Sequence, residues 1–121
     1  MDSIEFLNLI AQTVYDKKGA NILGLDIRGL SSLTDFFIIA EGGVDRHVKA
    51  IANTVREEAL KVGIHPIMVE GEESGDWCVL DFGEVIVHLF VPQQRLKYAL
   101  EELWSEGKIV DLKIESLPKV S

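Results

Sequence analysis

The run of apolar residues from 36 to 40, Phe-Phe-Ile-Ile-Ala, constrains the fold of this chain more than any other segment. A strand without polar positions suits the centre of a sheet that is covered on both faces. Such a sheet needs helices packed on it to supply the cover. Because 121 residues and 13.5 kDa fit one domain, these layers are expected to share a single core.

The segments around this run predict the remaining helices and strands. Apolar residues at helical spacing mark a helix over residues 2–18, with Asp2 and Glu5 as a capping box. A second helix follows Gly42-Gly43, with Asp45 as its candidate cap, and ends at Gly63. Strands are predicted at residues 22–28, 67–70, 77–82 and 85–91, and a last helix begins at Pro92, carries Leu96, Ala99, Leu100, Leu103 and Trp104, and stops at Gly107.

The predicted order αββαβββα favours an α/β fold with one mixed sheet of five strands and helices packed on it. Residues 109–114 alternate between apolar and polar and fit either a short sixth strand or an extended tail. We therefore expect a single α/β domain over residues 1–107 and a C-terminal extension over residues 108–121.

Composition and charge exclude several classes of protein. Acids outnumber bases by 20 to 12, and the net charge of −8 disfavours nucleic-acid phosphates as the main contact, so the expected partner is a basic protein. No apolar run approaches the ~20 residues that span a bilayer. The single cysteine, Cys78, excludes an internal disulfide and a multi-cysteine metal site. Because an acidic helix stands where a targeting leader would, we expect a cytoplasmic protein.

The segment around Gly83-Glu84 predicts a hairpin with two unlike faces. A two-residue turn there pairs Trp77 with Phe90, whereas a turn one residue longer or shorter would reassign the pairs. One face is wholly apolar and consists of Cys78, Leu80, Phe82, Val85, Val87 and Leu89. The other mixes aromatic, polar and aliphatic residues, namely Trp77, Val79, Asp81, Ile86, His88 and Phe90. Either the mixed face is a recognition surface, or a second helix covers it and His88 and Asp81 bond locally.

Acidic residues concentrate in the same region. Residues 70–84 contain no Lys or Arg and six acids, which are Glu70, Glu72, Glu73, Asp76, Asp81 and Glu84. Such a segment is either a solvated loop or a device that steers a basic partner toward Trp77.

Catalytic chemistry finds little support in the sequence. Gly42-Gly43 lacks the longer spacing of a phosphate-binding loop and fits a simple sharp turn. The acids Asp26, Asp35, Asp81 and Glu84 and the histidines His47, His65 and His88 show no metal-ligand spacing. Cys78 falls on the apolar face of the hairpin, where a thiol is an inert packing group. We expect no enzyme activity, no metal and no cofactor.

Several motifs closely resemble the ribosomal silencing factor family, also called the Iojap family. They lie at residues 25–40, 45–52, 70–71, 77–90 and 98–104, and the resemblance spans about residues 4–105. It implies a sheet like that of nucleotidyltransferases and a factor that binds the large ribosomal subunit through ribosomal protein L-fourteen. The bound factor would keep the small subunit from joining and lower translation when nutrients are short.

The same resemblance frames the alternative of a metal-dependent nucleotidyltransferase-like enzyme. Enzymes of that fold carry Gly-Ser after an early strand and an Asp-any-Asp pair for two metals. In this chain Gly42-Gly43-Val44 stands where those enzymes have Gly-Ser, and no Asp-any-Asp pair follows it, so the metal ligands are missing.

The predicted partner-binding site centres on the mixed face of the hairpin. Trp77 and Phe90 are the expected aromatic anchors, Asp81 and His88 the polar orienting groups, and Tyr98 and Glu70 complete the set. A free imidazole titrates near neutrality, so pH is a candidate influence on this contact, but the sequence gives no direction for the pKa of His88. An exposed aromatic face favours a homodimer when the protein is free. Outside the hairpin, Asp35 and Arg46 are expected to form an ion pair that holds the second helix.

Overall fold

The computed structural model describes residues 1–116, which form four helices and six strands. In chain order they are α1 (Ser3–Asp16), β1 (Ala20–Asp26), β2 (Phe36–Glu41), α2 (Asp45–Lys61), β3 (Met68–Glu70), β4 (Trp77–Asp81), β5 (Val85–Phe90), α3 (Pro92–Tyr98), α4 (Leu100–Leu103) and β6 (Lys108–Ile109). The predicted order is confirmed, with the last helix divided in two and the sixth strand present. No helix in the described range is long and apolar enough to cross a membrane.

The six strands form one mixed sheet in the order β3-β4-β5-β2-β1-β6. Strands β2 and β5 run parallel, and the other neighbouring pairs run antiparallel. The whole apolar run of β2 is buried, which confirms the predicted central strand. Its two faces belong to two separate apolar clusters, one on each side of the sheet.

Helices α1 and α2 cover the first face of the sheet and enclose the larger cluster. The apolar face of the hairpin lies in this cluster, as predicted. Helix α1 begins with the predicted capping box, in which the Asp2 carboxylate accepts from the Glu5 N–H at 2.8 Å. The predicted cap of α2 is wrong, because Val44 is the N-cap and Asp45 is the first helical residue. The preceding turn is closed instead by His47, whose Nδ1 accepts from the Gly43 N–H at 3.0 Å.

Helices α3 and α4 lie on the second face but cover only part of it. Leu100 and Trp104 pack on the smaller cluster, where the Trp104 ring lies 5.5 Å from the Phe37 ring. The prediction of one continuous helix after Pro92 is wrong, because Ala99 takes the left-handed conformation with φ 46° and ψ 50° and divides it. Leu96 and Leu103, expected to face the core, are largely exposed as a result.

The segment after Gly107 packs against the domain. Strand β6 pairs with β1, and Val110, Leu112 and Ile114 pack against the larger cluster beside α1. Two side chains of α1, Asn8 and Gln12, accept from the N–H groups of Lys113 and Glu115 at 2.8 and 2.7 Å. The segment is thus both a short strand and an extended tail, and residues 117–121 of the predicted extension lie outside the described residues.

Asp35 and Arg46 do not form the predicted ion pair. Asp35 immediately precedes β2 and Arg46 lies in the first turn of α2, so the length of the strand, about 20 Å, separates them. Arg46 is exposed and makes no ion pair with any residue in the described part of the chain.

Candidate partner-binding site

The hairpin of β4 and β5 has the register that the sequence predicts. Trp77 pairs with Phe90, Val79 with His88 and Asp81 with Ile86, and the Phe82 N–H donates to the Val85 carbonyl at 2.9 Å. Gly83 permits the turn because its φ is +90°. The mixed face therefore lies on the second side of the sheet, together with Met68 and Glu70 of β3, which pair with Asp81 and Val79.

Trp77 is the centre of an aromatic cluster on this face. Its ring stacks on Phe90 at 4.9 Å between centroids and meets Tyr98 at 4.7 Å, and its indole N–H donates to His88 Nδ1 at 3.1 Å. Tyr98 is 43% exposed and Trp77 is half-buried, whereas Phe90 is 0% and His88 8% exposed. Phe90 and His88 therefore support Trp77 from beneath and do not themselves reach the surface.

Burial determines the ionisation state of His88. It lowers the pKa of the imidazole from 6.5 to about 4, so the ring is neutral at pH 7. Because Nδ1 accepts the indole N–H, the ring proton resides on Nε2. His88 therefore does not tune the contact near neutrality, and its role is that of a fixed hydrogen-bond acceptor.

The backbone at the start of β4 is fixed by Gly71, which belongs to the motif at residues 70–71 but was not among the predicted site residues. Its φ is +84°, and a Cβ at this position would stand 1.8 Å from the carbonyl oxygen of Trp77. Only glycine allows this approach without displacing β4.

The neighbouring Cys78 is buried on the apolar face, and burial raises the pKa of its thiol to about 11, so the thiol stays protonated.

The uncovered part of the second face forms what we call the open strip. It comprises Met68, Glu70, Trp77, Val79, Asp81, Ile86 and Tyr98, each exposed or half-buried. Among the predicted site residues, Trp77, Asp81, Glu70 and Tyr98 belong to the strip, and Phe90 and His88 lie under it. The interpretation that a helix covers the mixed face holds for its inner end, where α3 and α4 lie, and the outer end faces solvent.

The acids of residues 70–84 divide into bonded and free groups. Glu72 pairs with Arg56 at 2.6 Å, the Asp81 carboxylate accepts from the Gly83 N–H at 2.8 Å, and Glu84 accepts from the Ser3 hydroxyl. The remaining three, Glu70, Glu73 and Asp76, are exposed and form no ion pair within the described residues. Negative charge is therefore available at Glu70 on the open strip and in the loop that precedes Trp77.

The candidate catalytic groups do not come together in one site. Within residues 1–116 no three His, Cys, Asp or Glu side chains are placed to hold a metal ion. Asp26 is held by Arg28, whose guanidinium lowers the pKa of that carboxyl. The N–H groups of Gly42 and Gly43 are used by the Phe90 carbonyl and His47, so neither is free for an anion.

Comparison with known proteins gives consistent matches over nearly the whole chain. The family model described as "Ribosomal silencing factor during starvation" matches residues 1–120. The ribosomal silencing factor of Halalkalibacterium halodurans is 37% identical over 112 residues, covering 93% of this chain and 96% of that protein. A crystal structure of a protein from Chromobacterium violaceum superposes with a TM-score of 0.85 at 35% identity, covering 96% of each chain. A mouse protein named for mitochondrial assembly of the ribosomal large subunit is 26% identical and matches over 53% of its own length.

Proposed function

The chain belongs to the ribosomal silencing factor family, and from this membership we propose that it binds the large ribosomal subunit through ribosomal protein L-fourteen and blocks joining of the small subunit. Translation is repressed by occupancy alone, most of all under nutrient limitation, and no catalytic step is required. A cytoplasmic location follows from the partner. The name of the mouse relative refers to assembly of the ribosomal large subunit, which supports the choice of subunit.

The observation that carries the proposal is the half-buried Trp77, which lies at the end of the open strip nearest to Tyr98. Phe90 and His88 hold its ring before any partner arrives, so little side-chain entropy is lost on binding. A preorganised tryptophan beside an apolar surface is the kind of residue that dominates binding energy. Val79 continues the open strip along β4, and Met68 and Ile86 lie beside Asp81 at its far end.

The charge around the strip suits a basic, RNA-associated protein. Glu70 is exposed on the open strip, and Glu73 and Asp76 are exposed in the loop that leads into Trp77, so all three are free to face Lys and Arg side chains of the partner. Complementary charge at the rim fixes orientation and speeds the encounter more than it adds affinity. The aromatic centre therefore supplies most of the affinity, and the acids select the partner.

Co-sedimentation with isolated large subunits tests the proposal. The unmodified chain should pellet with large subunits and lower the yield of complete ribosomes when small subunits are added. Trp77→Ala should weaken binding by about 30-fold or more, because a central aromatic anchor contributes ~2 kcal/mol or more. Ile109→Ala is the matched control, since it removes an exposed apolar side chain from the opposite edge of the same sheet face.

Normal pelleting of a folded Trp77→Ala variant would place the site elsewhere. Binding that left small-subunit joining unchanged would exclude the occupancy mechanism. Magnesium-dependent nucleotide turnover without subunit binding would favour the enzyme alternative instead. Sedimentation equilibrium of the free protein, with and without Trp77→Ala, tests whether two copies pair through the same strip.

A further inference from the structure

Arg95 joins three elements behind the open strip. Its guanidinium donates to the Asn21 carbonyl of β1, to Glu41 at the end of β2 at 3.0 Å, and to Glu101 of α4 at 3.0 Å. The Arg95 side chain is only 11% exposed and that of Glu41 14%. One cation thus faces two carboxylates in a largely desolvated position, where the planar fork of arginine suits several acceptors at once.

This network spans the break between α3 and α4. Arg95 lies four residues before Ala99 and Glu101 two residues after it, and the Ala99 N–H donates to the Arg95 carbonyl at 2.8 Å. A left-handed alanine is unfavourable for an L-residue and alanine strongly favours continued helix, so another interaction must hold the break. The bond between Arg95 and Glu101 does so directly. In a continuous helix, side chains six residues apart point in different directions, so this bond can form only if the helix breaks.

The break in turn determines where Tyr98 lies. Tyr98 is the last residue of α3, directly before Ala99, and its ring meets Trp77 at 4.7 Å. Glu41, which anchors Arg95 to the sheet, lies opposite Phe90 in the β2 and β5 pair, and Trp77 stacks on Phe90. Arg95 is therefore connected to Tyr98 and Phe90, two of the three groups that contact the Trp77 ring, although it does not itself contact that ring.

We propose that Arg95 is a positioning residue for the partner-binding site: by fixing the bend at Ala99 through Glu41 and Glu101, it holds Tyr98 against Trp77 in the binding arrangement. The inference rests on the proposed function of the open strip and adds the residue that organises it. A partly buried ion pair contributes little net stability once desolvation is counted, so its principal effect is on geometry.

The test compares Arg95→Met, which retains bulk without charge, with Arg28→Met. Arg28 is a matched control, because it also pairs with a carboxylate, Asp26, but at the opposite end of the sheet from Trp77. In both variants the affinity for isolated large subunits is measured together with the NMR resonance of the Trp77 indole N–H. Arg95→Met should bind about 10-fold more weakly and shift that resonance, whereas Arg28→Met should bind within twofold of the unmodified chain.

A milder variant keeps the test decisive if Arg95→Met does not fold. Glu101→Gln removes only the charge of the bond across the break and should weaken binding about threefold, with a smaller shift of the same resonance. A folded Arg95→Met or Glu101→Gln variant with unchanged binding and an unchanged resonance would overturn the inference. If Trp77→Ala lost binding in parallel, the proposed function would still stand; if Trp77→Ala also bound normally, the site itself would be wrong.

Discussion

At the scale of single residues, His88 shows how burial converts a titratable side chain into a fixed acceptor. Its Nδ1 accepts the Trp77 indole N–H, and the surrounding apolar residues make protonation of the ring unfavourable. A proton on Nδ1 would oppose the indole N–H directly. Acid is therefore expected to destabilise the fold and to release Trp77 from its position.

The sign of the pH dependence follows from the lowered pKa. In the unfolded chain His88 takes up a proton as the pH falls below about 6.5, whereas in the folded protein it does so only near its pKa of about 4. The stabilisation from neutral His88 is complete above pH 6.5 and is lost as the pH falls toward 4. We expect this residue to lower the free energy of unfolding by about 3 kcal/mol across that range.

Urea unfolding at pH 7, 5.5 and 4 measures this effect. His88→Asn is the reference variant, because its amide oxygen replaces Nδ1 as an acceptor but does not titrate in this range. The variant should lose less stability than the unmodified chain between pH 7 and 4, which separates His88 from the carboxyl groups. Equal losses in the two proteins would contradict the assignment of the acid sensitivity to His88.

The sequence was enough to predict which face of the sheet the site residues occupy, but not how deeply each is buried. Alternation along the hairpin and the turn at Gly83 placed Trp77, His88 and Phe90 on one side of the sheet, and the register is as predicted. Their depth was not predictable, because it depends on α3 and on Phe37 of β2, which are distant in sequence. Phe90 was thus expected at the surface but lies beneath Trp77.

At the scale of elements, the central strand and the last helix show why prediction succeeded in one place and failed in another. The local sequence of β2 is enough to predict its burial, since an unbroken apolar run is stable only between two covered faces of a sheet. The break at Ala99 has no local signal, because alanine favours helix and no Gly or Pro is nearby. It depends on bonds from Arg95 to β1, β2 and α4, which sequence periodicity does not reveal.

The tail beside α1 gives a prediction about the limits of the domain. Val110, Leu112 and Ile114 pack on the larger cluster, and Leu112 lies over Gly24 of β1, where a Cβ would come within 2.8 Å of it. Truncation of the chain after Ile109 should therefore lower the free energy of unfolding by about 3 kcal/mol, from three partly buried aliphatic side chains. Urea unfolding followed by circular dichroism measures the difference.

Single substitutions in the tail separate packing from a general effect of shortening. Leu112→Ala should cost about 1 to 2 kcal/mol, and its neighbour Asp111→Ala, which removes an exposed side chain, should stay within about 0.5 kcal/mol of the unmodified chain. A truncated chain as stable as the full one would instead favour a domain that ends at residue 107.

At the scale of the whole molecule, the net charge of −8 and the proposed ribosomal target are compatible only if the charge is placed selectively. Ribosomal RNA repels an acidic protein, so attraction must come from a basic protein surface that the RNA leaves uncovered. Glu70 lies on the open strip, and Glu73 and Asp76 lie in the loop that leads into Trp77, where they can act on such a surface at short range. Since the Debye length is about 8 Å at physiological salt, only acids near the contact contribute to steering.

This placement predicts how salt affects binding to purified ribosomal protein L-fourteen. For the unmodified chain, raising the salt from about 50 to 300 mM should lower the association rate several-fold and leave the dissociation rate nearly unchanged, because rim charges act on encounter. Combining Glu70→Gln, Glu73→Gln and Asp76→Asn should remove most of that dependence, as measured by stopped-flow fluorescence.

The control neutralises three exposed acids after α4, with Glu106→Gln, Asp111→Asn and Glu115→Gln. It changes the net charge by the same amount but not the charge around Trp77, so it should retain the salt dependence of the unmodified chain. If both triple variants lost it equally, the total charge of the molecule would govern association. If neither did, the acids beside Trp77 would be a solvated loop with no part in partner choice.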